Sequence, residues 1–235
     1  MSKSLFVTGT NTDIGKTYVT ALIVKKLRDS GLNAGYFKAA VSGNERTENG
    51  IIPGDAEYVD YIAGIGGNLS EMVPYVYENA YSPHLASQIE GNPVEMSVVR
   101  DKYNSILQKY DYVTVEGSGG IICPIRYDDK IIMLEDIVKE LGLSTLIIAD
   151  AGLGTINSVF LTVSYMKSRN IKVKGIILNH FHEDNIIEQD NKKMIEILTG
   201  VPVVGVVHDN DENLDMDAER LAGLYDRNRK DLEVK

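Results

Sequence analysis

Apolar residues occur along the chain in two alternating patterns, short continuous runs and longer runs with helical periodicity. Short runs, mostly rich in β-branched residues, predict strands at 5–7, 34–38, 111–116, 144–149, 173–178 and 201–207. Periodic runs predict helices at 18–27, 94–108, 134–141, 152–169 and 186–198. Because strands and helices alternate, we expect an α/β fold with a mostly parallel sheet and helices on both faces.

Weaker signals fill the gaps between these elements. They predict a loop at 44–54, a helix at 56–62, a strand at 73–77, a short helix from Pro83 capped by Ser82, and a closing helix at 216–225. No linker rich in Pro, Gly or Ser divides the chain, so we expect a single domain over residues 1–225. Residues 226–235 are charged, and we expect them to form a frayed tail.

A glycine-bearing segment joins the first strand to the first helix: Gly9-Thr10-Asn11-Thr12-Asp13-Ile14-Gly15-Lys16-Thr17. In such a loop, backbone N–H groups converge on a phosphate, and the helix N-terminus adds partial positive charge. Lys16 can reach the outer phosphates, and the Thr17 hydroxyl can hold magnesium. The usual spacing would place the first glycine at position 10, whereas here it is Gly9. Since Gly15-Lys16-Thr17 keeps its order, we predict a phosphate-binding loop.

A second stretch places an acid at the end of a strand, before a glycine-rich turn: Val115-Glu116-Gly117-Ser118-Gly119-Gly120. An acid in this place is typical of phosphate-loop enzymes, where it serves the magnesium shell. The glycines allow backbone to approach a ligand closely. The alternative is a tight turn that carries an incidental acid.

Polar residues follow other predicted strands at the same expected edge of the sheet. Lys38 and Ser42 follow the second strand, and Asn179 follows the strand at 173–178. Asn179 could bond an adenine edge or close an Asx turn. Asp55 could bind magnesium, but the sequence favours an N-cap for the helix at 56–62. The segment from Gly152 to Asn157 opens a helix and offers N–H groups to an anion, with an ordinary capped turn as the alternative.

Composition narrows the classes of function. The chain has 235 residues and a net charge of −10, without a long basic run, which argues against general binding to nucleic acid or anionic membrane. Its single cysteine, Cys123, excludes an internal disulfide. No apolar stretch reaches the ~18 residues of a membrane span. Because residues 1–4 lead directly into a strand, we expect no signal peptide and a cytoplasmic protein.

Taken in order, these motifs resemble the dethiobiotin synthetase family, with P-loop NTPase-like architecture. The resemblance covers residues 3 to about 210 and includes Ser82-Pro83-His84 as well as the segments above. The displaced Gly9 is the family's own form of the loop. The resemblance implies an ATP- and magnesium-dependent reaction of CO2 with 7,8-diaminopelargonate, through a carbamate and a carbamic–phosphoric anhydride, to give the cyclic urea of dethiobiotin. It also implies a homodimer.

The same resemblance implies roles for individual residues. Lys38 and Lys16 would be catalytic, with Lys38 steadying the carbamate. Thr17, Asp55 and Glu116 would hold Mg2+, which gives Asp55 a ligand role in place of the cap. The implied ATP site is Asp13, Ile14, Gly15, Lys16, Thr17, Tyr18, Asp55, Glu116, Gly117, Ser118, Gly119, Asn179, His180, Val207, His208 and Asp209. The implied substrate site is Ser42, Gly152, Leu153, Gly154, Thr155 and Asn157, the last five serving the partner subunit.

Three positions depart from the family pattern. Ala39 replaces a proline after the catalytic lysine, and His208 replaces a proline near the adenine. Asn191 stands where some members carry a tyrosine that reaches the partner's substrate. We expect the change at His208 to affect nucleotide preference, and the change at Asn191 to affect substrate affinity more than the reaction.

Three other classes compete with this interpretation. Amidoligase relatives carry a glutaminase domain, for which the chain is too short, and Cys123 does not lie at a strand–helix elbow. Switch ATPases of the partitioning or metallochaperone type usually have a second lysine early in the loop, where this chain has Thr10-Asn11-Thr12. An inactive adaptor would not need Lys16, Thr17, Lys38 and Glu116 together.

Overall fold

The strands and helices form a parallel central sheet flanked by helices, in a computed structural model that describes residues 2–48 and 50–227. The strands are β1 (Lys3–Gly9), β2 (Ala34–Lys38), β3 (Ala40–Val41), β4 (Arg46–Thr47), β5 (Gly50–Ile51), β6 (Tyr75–Val76), β7 (Tyr112–Gly120), β8 (Pro124–Tyr127), β9 (Ile131–Met133), β10 (Thr145–Asp150), β11 (Val173–Asn179), β12 (Val203–Val206) and β13 (Asp226–Arg227). The helices are α1 (Lys16–Asp29), α2 (Gly54–Ala63), α3 (Leu69–Met72), α4 (Pro83–Glu90), α5 (Met96–Leu107), α6 (Leu134–Glu140), α7 (Thr155–Ser168), α8 (Ile186–Thr199) and α9 (Ala218–Ala222).

The central sheet has the strand order β12-β11-β10-β1-β7-β2, and every neighbouring pair in this order is parallel. The first strand, β1, lies between β10 and β7, with Phe6 opposite Thr145 on one side and Val115 on the other. The carboxyl ends of all six strands therefore meet at one edge, where α/β proteins bind ligands. The predicted fold class is confirmed.

Alternating side chains of β1 enter two apolar cores, one on each face of the sheet. Leu5 and Val7 pack in the core that includes Val19 of α1, whereas Phe6 packs in the core that includes Val159 of α7. All three β1 side chains are at most 1% exposed. Burial on both faces explains the continuous apolar runs of these strands.

The main differences from the predicted elements concern short segments. The predicted loop at 44–54 contains the β4–β5 hairpin, and the sequence analysis also missed α3 and the β8–β9 hairpin. Two to four residues are too few to show a hydrophobic period, so such elements leave little signal. The closing helix, expected at 216–225, is confined to Ala218–Ala222 in α9.

The start of the predicted tail is a strand. Asp226 and Arg227 form β13, which pairs antiparallel with Lys3 and Ser4 at the beginning of β1. The Asp226 carboxylate accepts hydrogen bonds from Lys174, Lys172 and Ser144. The expectation of fraying is thus wrong for these two residues, because ion pairs hold them to the sheet. Residues 228–235 lie outside the described residues.

Within residues 2–48 and 50–227, no helix combines the length and the apolar character needed to cross a membrane.

Candidate active site

The loop between β1 and α1 is shaped by two close approaches. A Cβ at Gly9 would stand 2.5 Å from Ile14 Cδ1 and 2.9 Å from Lys16 Cδ, so the loop folds tightly over this residue. A larger residue at position 9 would collide with Ile14 and Lys16, which explains why the motif has a glycine there. The loop then passes through the left-handed region at Asp13 (φ 56°) and Gly15 (φ 78°) before α1 begins at Lys16. Lys16 Nζ donates to Asn11 O at 3.0 Å and so bends back over the loop.

The loop also rests against the end of β11. Asn179 is fully buried there, and its Nδ2 donates to Ile14 O at 3.1 Å. A Cβ at Gly15 would lie 2.3 Å from the same Nδ2. Gly15 is therefore required both for its left-handed backbone and for the space that Asn179 occupies.

A buried ion-pair group lies beside the loop. In the β2–β7 pairing, Lys38 is the direct partner of Glu116. Lys38 Nζ contacts Glu116 Oε1 at 2.7 Å and also pairs with Asp55 Oδ2. Lys38 is 4% exposed and Glu116 1%. Parallel strands thus bring the two predicted residues together, and Asp55 reaches them from the first turn of α2.

Glu116 connects this group to α1. Its Oε1 accepts from Thr17 Oγ1 at 2.8 Å, and its Oε2 accepts from Tyr36 OH at 3.1 Å. Tyr36 lies two residues before Lys38, on the same face of β2, and is fully buried. The carboxylate is therefore held by three donors, which fixes its place at the edge of the sheet.

The two lysines differ in their titration. Burial lowers the pKa of Lys16 below its usual 10.5, and the nearby charge of Lys38 lowers it further. Burial would also lower the pKa of Lys38, but Glu116 and Asp55 outweigh it and raise that pKa to about 12. Lys38 is therefore an ammonium group at neutral pH, suited to holding an anion and not to accepting a proton.

Eleven of the 23 predicted site residues line one cavity of about 510 Å3. It is lined by Thr12, Asp13, Gly15, Lys16, Thr17, Tyr18, Lys38, Val41, Ser42, Asp55, Glu116, Ser118 and Gly119. Ser42 Oγ donates to Tyr81 O at 2.6 Å, and Ser118 Oγ donates to Ala40 O at 2.8 Å. The remaining predicted residues do not line this cavity and fall into two neighbouring groups, apart from Ile14 in the phosphate loop and Gly117 in β7. The turn predicted directly after Glu116 is wrong, because β7 continues to Gly120.

The first neighbouring group lies at the ends of β11 and β12 and comprises Asn179, His180, Val207, His208 and Asp209. The hydroxyl of Tyr18 donates to Asp211 O, which brings the segment after β12 to the start of α1. The backbone N–H of His208 donates to Asp211 Oδ2 at 2.8 Å, so the same acid orders this segment. The group therefore borders the phosphate loop.

The second group is the start of α7. Leu153 is 85% exposed, whereas the Thr155 hydroxyl is buried and has no hydrogen-bond partner among the residues described. Asn191 is also buried, and its Nδ2 donates to Ala151 O at 2.9 Å and to Gly152 O at 3.0 Å. The residue that departs from the family pattern thus holds the α7 entry loop of its own chain.

Two capping predictions change. Asp55 is not the N-cap of α2, because the helix begins at Gly54 after Pro53 and the Asp55 carboxylate turns to Lys38. Ser82 does precede α4 at the N-cap position, with Pro83 in the first turn, as predicted. Its hydroxyl makes no capping bond and instead contacts His84 Nδ1 at 3.0 Å.

Sequence reasoning missed Tyr36, Thr12 and Val41, which belong to the site or its support. For Tyr36 a signal existed, because it shares a strand face with Lys38. Thr12 lies inside the phosphate-loop motif, but the sequence alone does not show that it faces the cavity. Val41, in β3, gave no signal, since its place depends on how the chain folds after β2.

The oxygen atoms near Lys38 suit a small hard cation. Thr17 Oγ1 and Glu116 Oε1 are 2.8 Å apart, and Asp55 approaches from α2, so the predicted residues offer the oxygen donors that Mg2+ prefers. Of these three residues, only Asp55 and Glu116 are acids. Within residues 2–48 and 50–227, no group of three or more His, Cys, Asp and Glu side chains could hold a metal.

Cys123 has the character of a buried thiol. Burial raises its pKa to about 11, so the thiol keeps its proton near neutral pH. Because the thiolate is the reactive form, Cys123 does not have the properties of a nucleophile.

Comparisons with known proteins agree with these motifs. A protein-family model described as an AAA domain matches residues 3–216 of this chain. The ATP-dependent dethiobiotin synthetase BioD of Brachyspira hyodysenteriae is 56% identical over 216 residues, which cover 92% of this chain and 96% of that protein. The BioD of Clostridium perfringens strain 13 is 50% identical, covering 88% and 91%, and that of Clostridium botulinum strain Loch Maree is 49% identical, covering 96% and 99%.

Some solved structures share this fold at low sequence identity. The MinC:MinD cell division protein complex of Aquifex aeolicus matches with a TM-score of 0.56 at 14% identity, covering 90% of this chain and 83% of that one. A ParA family ATPase from Chlorobium tepidum matches with a TM-score of 0.53 at 15% identity, covering 90% and 85%. At such low identity the likeness concerns the fold alone, which is that of P-loop NTPases.

Proposed function

We propose, because this chain belongs to the family of ATP-dependent dethiobiotin synthetases, that it joins CO2 to 7,8-diaminopelargonate and closes a cyclic urea at the expense of ATP. The observation that carries the proposal is the buried Lys38 ammonium, held between Asp55 and Glu116 beside a phosphate loop. A fixed positive charge next to a phosphate site suits a reaction in which two anions must meet.

The atoms balance in three steps. One amine of the substrate adds to CO2 and loses a proton, giving a carbamate. A carbamate oxygen attacks the γ-phosphorus of ATP, and ADP leaves, giving a carbamic–phosphoric anhydride. The second amine attacks the anhydride carbon and loses a proton, and phosphate leaves with the bridging oxygen. Each step needs the reacting groups held close together more than it needs new covalent chemistry from the protein.

Lys16 and the loop bind the phosphates in this account. The N–H groups at the start of α1 point toward the loop, and the Lys16 ammonium lies over it at Asn11 O. When ATP is bound, the ammonium moves from this backbone oxygen to the transferring phosphate. It stabilises the negative charge that spreads over the phosphoryl oxygens.

Lys38 holds the carbamate. Its pKa of about 12 keeps the ammonium charged, and its side chain is anchored by the two acids, so it presents a fixed cation to the cavity. Ser42, which lines the same cavity, contacts the substrate. Together they place the carbamate oxygen in line with the γ-phosphate.

Thr17, Asp55 and Glu116 would hold Mg2+. Bound there, the ion would neutralise phosphate charge. The hydrogen bond between Thr17 and Glu116 shows that these oxygens already converge, which supports the assignment.

The base of ATP lies along the ends of β11 and β12. Asn179, His180 and the segment 207–209 border the phosphate loop there, so the base would lie beside its own phosphates. Support comes from the Tyr18–Asp211 contact, which joins this edge to α1.

The substrate carboxylate binds at the start of α7 of a second copy. The segment 152–157 does not line the cavity of its own chain, and the first N–H groups of a helix have no intrahelical partner. Leu153 before α7 and Leu161 on α7 are exposed, and exposed Ile122 lines one surface cavity with Leu161, so a homodimer would cover these apolar side chains.

The test is to incubate the purified protein with ATP, Mg2+, bicarbonate and 7,8-diaminopelargonate and to detect the cyclic urea by mass spectrometry. We expect product from the wild type and almost none from Lys38→Ala. Lys139→Ala is a matched control, because Lys139 lies on α6, away from the cavity. Phosphate release without the diamine, and no urea with it, would overturn the ligase and favour a switch ATPase.

A further inference from the structure

We propose that Asp150 and His180 are positioning residues that fix the orientation of the Asn179 side-chain amide and thereby set the preference of the site for a 6-aminopurine. This role rests on the proposed contact between Asn179 and the base. It gives a role to Asp150, an acid that belongs to none of the sequence motifs.

The three side chains form one chain of hydrogen bonds at the edge of the sheet. Asn179 Nδ2 lies 3.2 Å from His180 Nε2, and His180 Nδ1 lies 2.9 Å from Asp150 Oδ2. Asp150 and Asn179 are direct partners in the β10–β11 pairing, so the sheet itself sets their spacing. His180 adopts the left-handed conformation, with φ 55°, which is unusual for a residue other than glycine.

Counting protons fixes the direction of every bond. The Asn179 Nδ2 group has two hydrogens, one for Ile14 O and one for His180 Nε2. His180 Nε2 must therefore be the unprotonated nitrogen, and Nδ1 carries the hydrogen. That hydrogen is donated to Asp150 Oδ2, because a carboxylate can only accept. Asp150 thus selects the tautomer of His180, and His180 selects the orientation of Asn179.

Asp150 is itself held in place. Its other oxygen, Oδ1, accepts from the backbone N–H of Gly152 at 2.7 Å. The next residue, Ala151, donates its N–H to Asn179 O at 2.9 Å. The acid is therefore anchored to the same loop that is tied to Asn179, and it has little freedom to release His180.

The fixed amide leaves one atom for a ligand. Asn179 Oδ1 is buried and has no hydrogen-bond partner within the residues described. A buried acceptor without a partner is unfavourable, and a ligand N–H that reached it would relieve the deficit. Adenine offers an amino group at position 6, whereas guanine presents a carbonyl oxygen there. The oxygen of Asn179 would pair with the first and repel the second.

The hydrogen-bond chain Asp150–His180–Asn179 is called the relay. Loss of the relay should weaken the preference for adenine over guanine. Without the Asp150 carboxylate, His180 is free to carry its hydrogen on Nε2, which would face the Nδ2 hydrogens of Asn179. The amide would then turn, offering its NH2 group to a guanine carbonyl. Asp150→Asn tests this with almost no change in volume, since an amide cannot accept from both Gly152 and His180 as two carboxylate oxygens do.

The experiment measures equilibrium binding of ADP and GDP to the full chain, so it does not depend on turnover. We expect Asp150→Asn and Asp150→Ala each to lower the ADP-to-GDP affinity ratio about tenfold, the effect of one lost hydrogen bond. Asp190→Ala removes the same charge from an exposed position on α8 and should leave the ratio unchanged. In assays with saturating diamine, the Asp150 variants should raise KM for ATP with little change in kcat.

Two results would overturn the relay. One is an unchanged affinity ratio in the Asp150 variants, or an equal loss for both nucleotides, which would indicate a merely structural role. The other is a wild-type His180 whose 15N shifts show the hydrogen on Nε2, a measurement that needs no variant. If the wild type prefers ADP but makes no cyclic urea, the proposed reaction fails while the relay stands.

Discussion

Gly15 and Asn179 lie so close together that a Cβ on Gly15 would stand 2.3 Å from Asn179 Nδ2. One residue ends the phosphate loop and the other ends β11, 164 positions later in the chain. Since Asn179 also donates to Ile14 O, the loop takes its shape partly from β11. The proposed phosphate and base sites are therefore in direct contact, and each helps to fix the shape of the other.

This contact predicts that Gly15→Ala lowers the free energy of unfolding by more than its left-handed backbone strain alone would. We expect Gly15→Ala to reduce the free energy of unfolding by about 2–3 kcal/mol, from left-handed strain plus displacement of Asn179. ADP affinity should fall at least tenfold. Gly31→Ala is the control, since Gly31 has φ 80° but nothing within 4 Å of its Cβ position. It should lose about 1 kcal/mol and keep its ADP affinity, as urea unfolding and calorimetry would show. Equal effects of the two substitutions would contradict the contact.

The Lys38–Glu116 pair predicts that stability and activity can be separated. Lys38→Met leaves Glu116 buried without its cation, and we expect a loss of about 3–5 kcal/mol in unfolding free energy. Adding Glu116→Gln should restore much of that stability, because the uncompensated charge is removed. Activity should remain at least 100-fold reduced in both variants, as measured by urea formation.

A lysine elsewhere serves as the control for this prediction. Lys174 pairs with Asp226 at the far end of the sheet and is 16% exposed in its side chain. Lys174→Met should lower stability while leaving the rate of urea formation within about twofold of the wild type. A double variant at Lys38 and Glu116 that regained activity would refute the role of Lys38.

The hydrogen bond from Tyr36 to Glu116 predicts a smaller loss of stability and activity than the Lys38–Glu116 pair does. Removing its hydroxyl with Tyr36→Phe frees one oxygen of Glu116, and we expect about 1 kcal/mol of stability to be lost. Tyr225→Phe is a matched change, because that buried hydroxyl bonds Thr114 Oγ1 at 2.6 Å on the same strand as Glu116, β7. Both variants should show similar melting temperatures, but only Tyr36→Phe should reduce kcat. A reduced kcat in both variants would mean that a general loss of stability lowers kcat, and not the loss of the hydrogen bond to Glu116.

Asp226 predicts a pH dependence of stability. Burial works to raise its pKa, but hydrogen bonds from Lys174, Ser144 and Lys172 outweigh this and lower the pKa below 3.8. A lowered pKa in the folded state contributes stability that is present above about pH 3.8 and is lost as the pH falls through the folded value. Urea unfolding of Asp226→Asn should therefore differ from the wild type most at pH 6–7, with the difference shrinking below pH 4. A difference that stays constant with pH would exclude the ion pairs as its cause.

Several parts of this site could be predicted from the sequence. The order of the strands along the chain, the phosphate loop and the acid Glu116 all follow from local patterns. Lys38 and Glu116 could be expected to meet, because the sequence places both at strand ends of one parallel sheet, although β7 continues past Glu116 to Gly120. These predictions depend only on periodicity and on the rule that strand ends share an edge.

Other features depend on register and loop shape, which a single sequence does not specify. The sequence favours Asp55 as an N-cap, since an aspartate just before a helix commonly has that role. Only the approach of α2 to Lys38 shows that its carboxylate serves the ion pair. Asp150 and Asn191 act through contacts with residues far away in the chain, and nothing near them signals those contacts.

The measurement that tests the central claim most directly follows oxygen from bicarbonate to phosphate. With 18O-labelled bicarbonate, ATP and the diamine, the account predicts one 18O atom in each phosphate released with the cyclic urea, because the anhydride breaks at the carbonyl carbon. Mass spectrometry of the phosphate would show this in a single turnover. Phosphate that carries oxygen only from ATP and water would mean that water attacks the γ-phosphorus, and the chain would then be an ATPase and not a ligase.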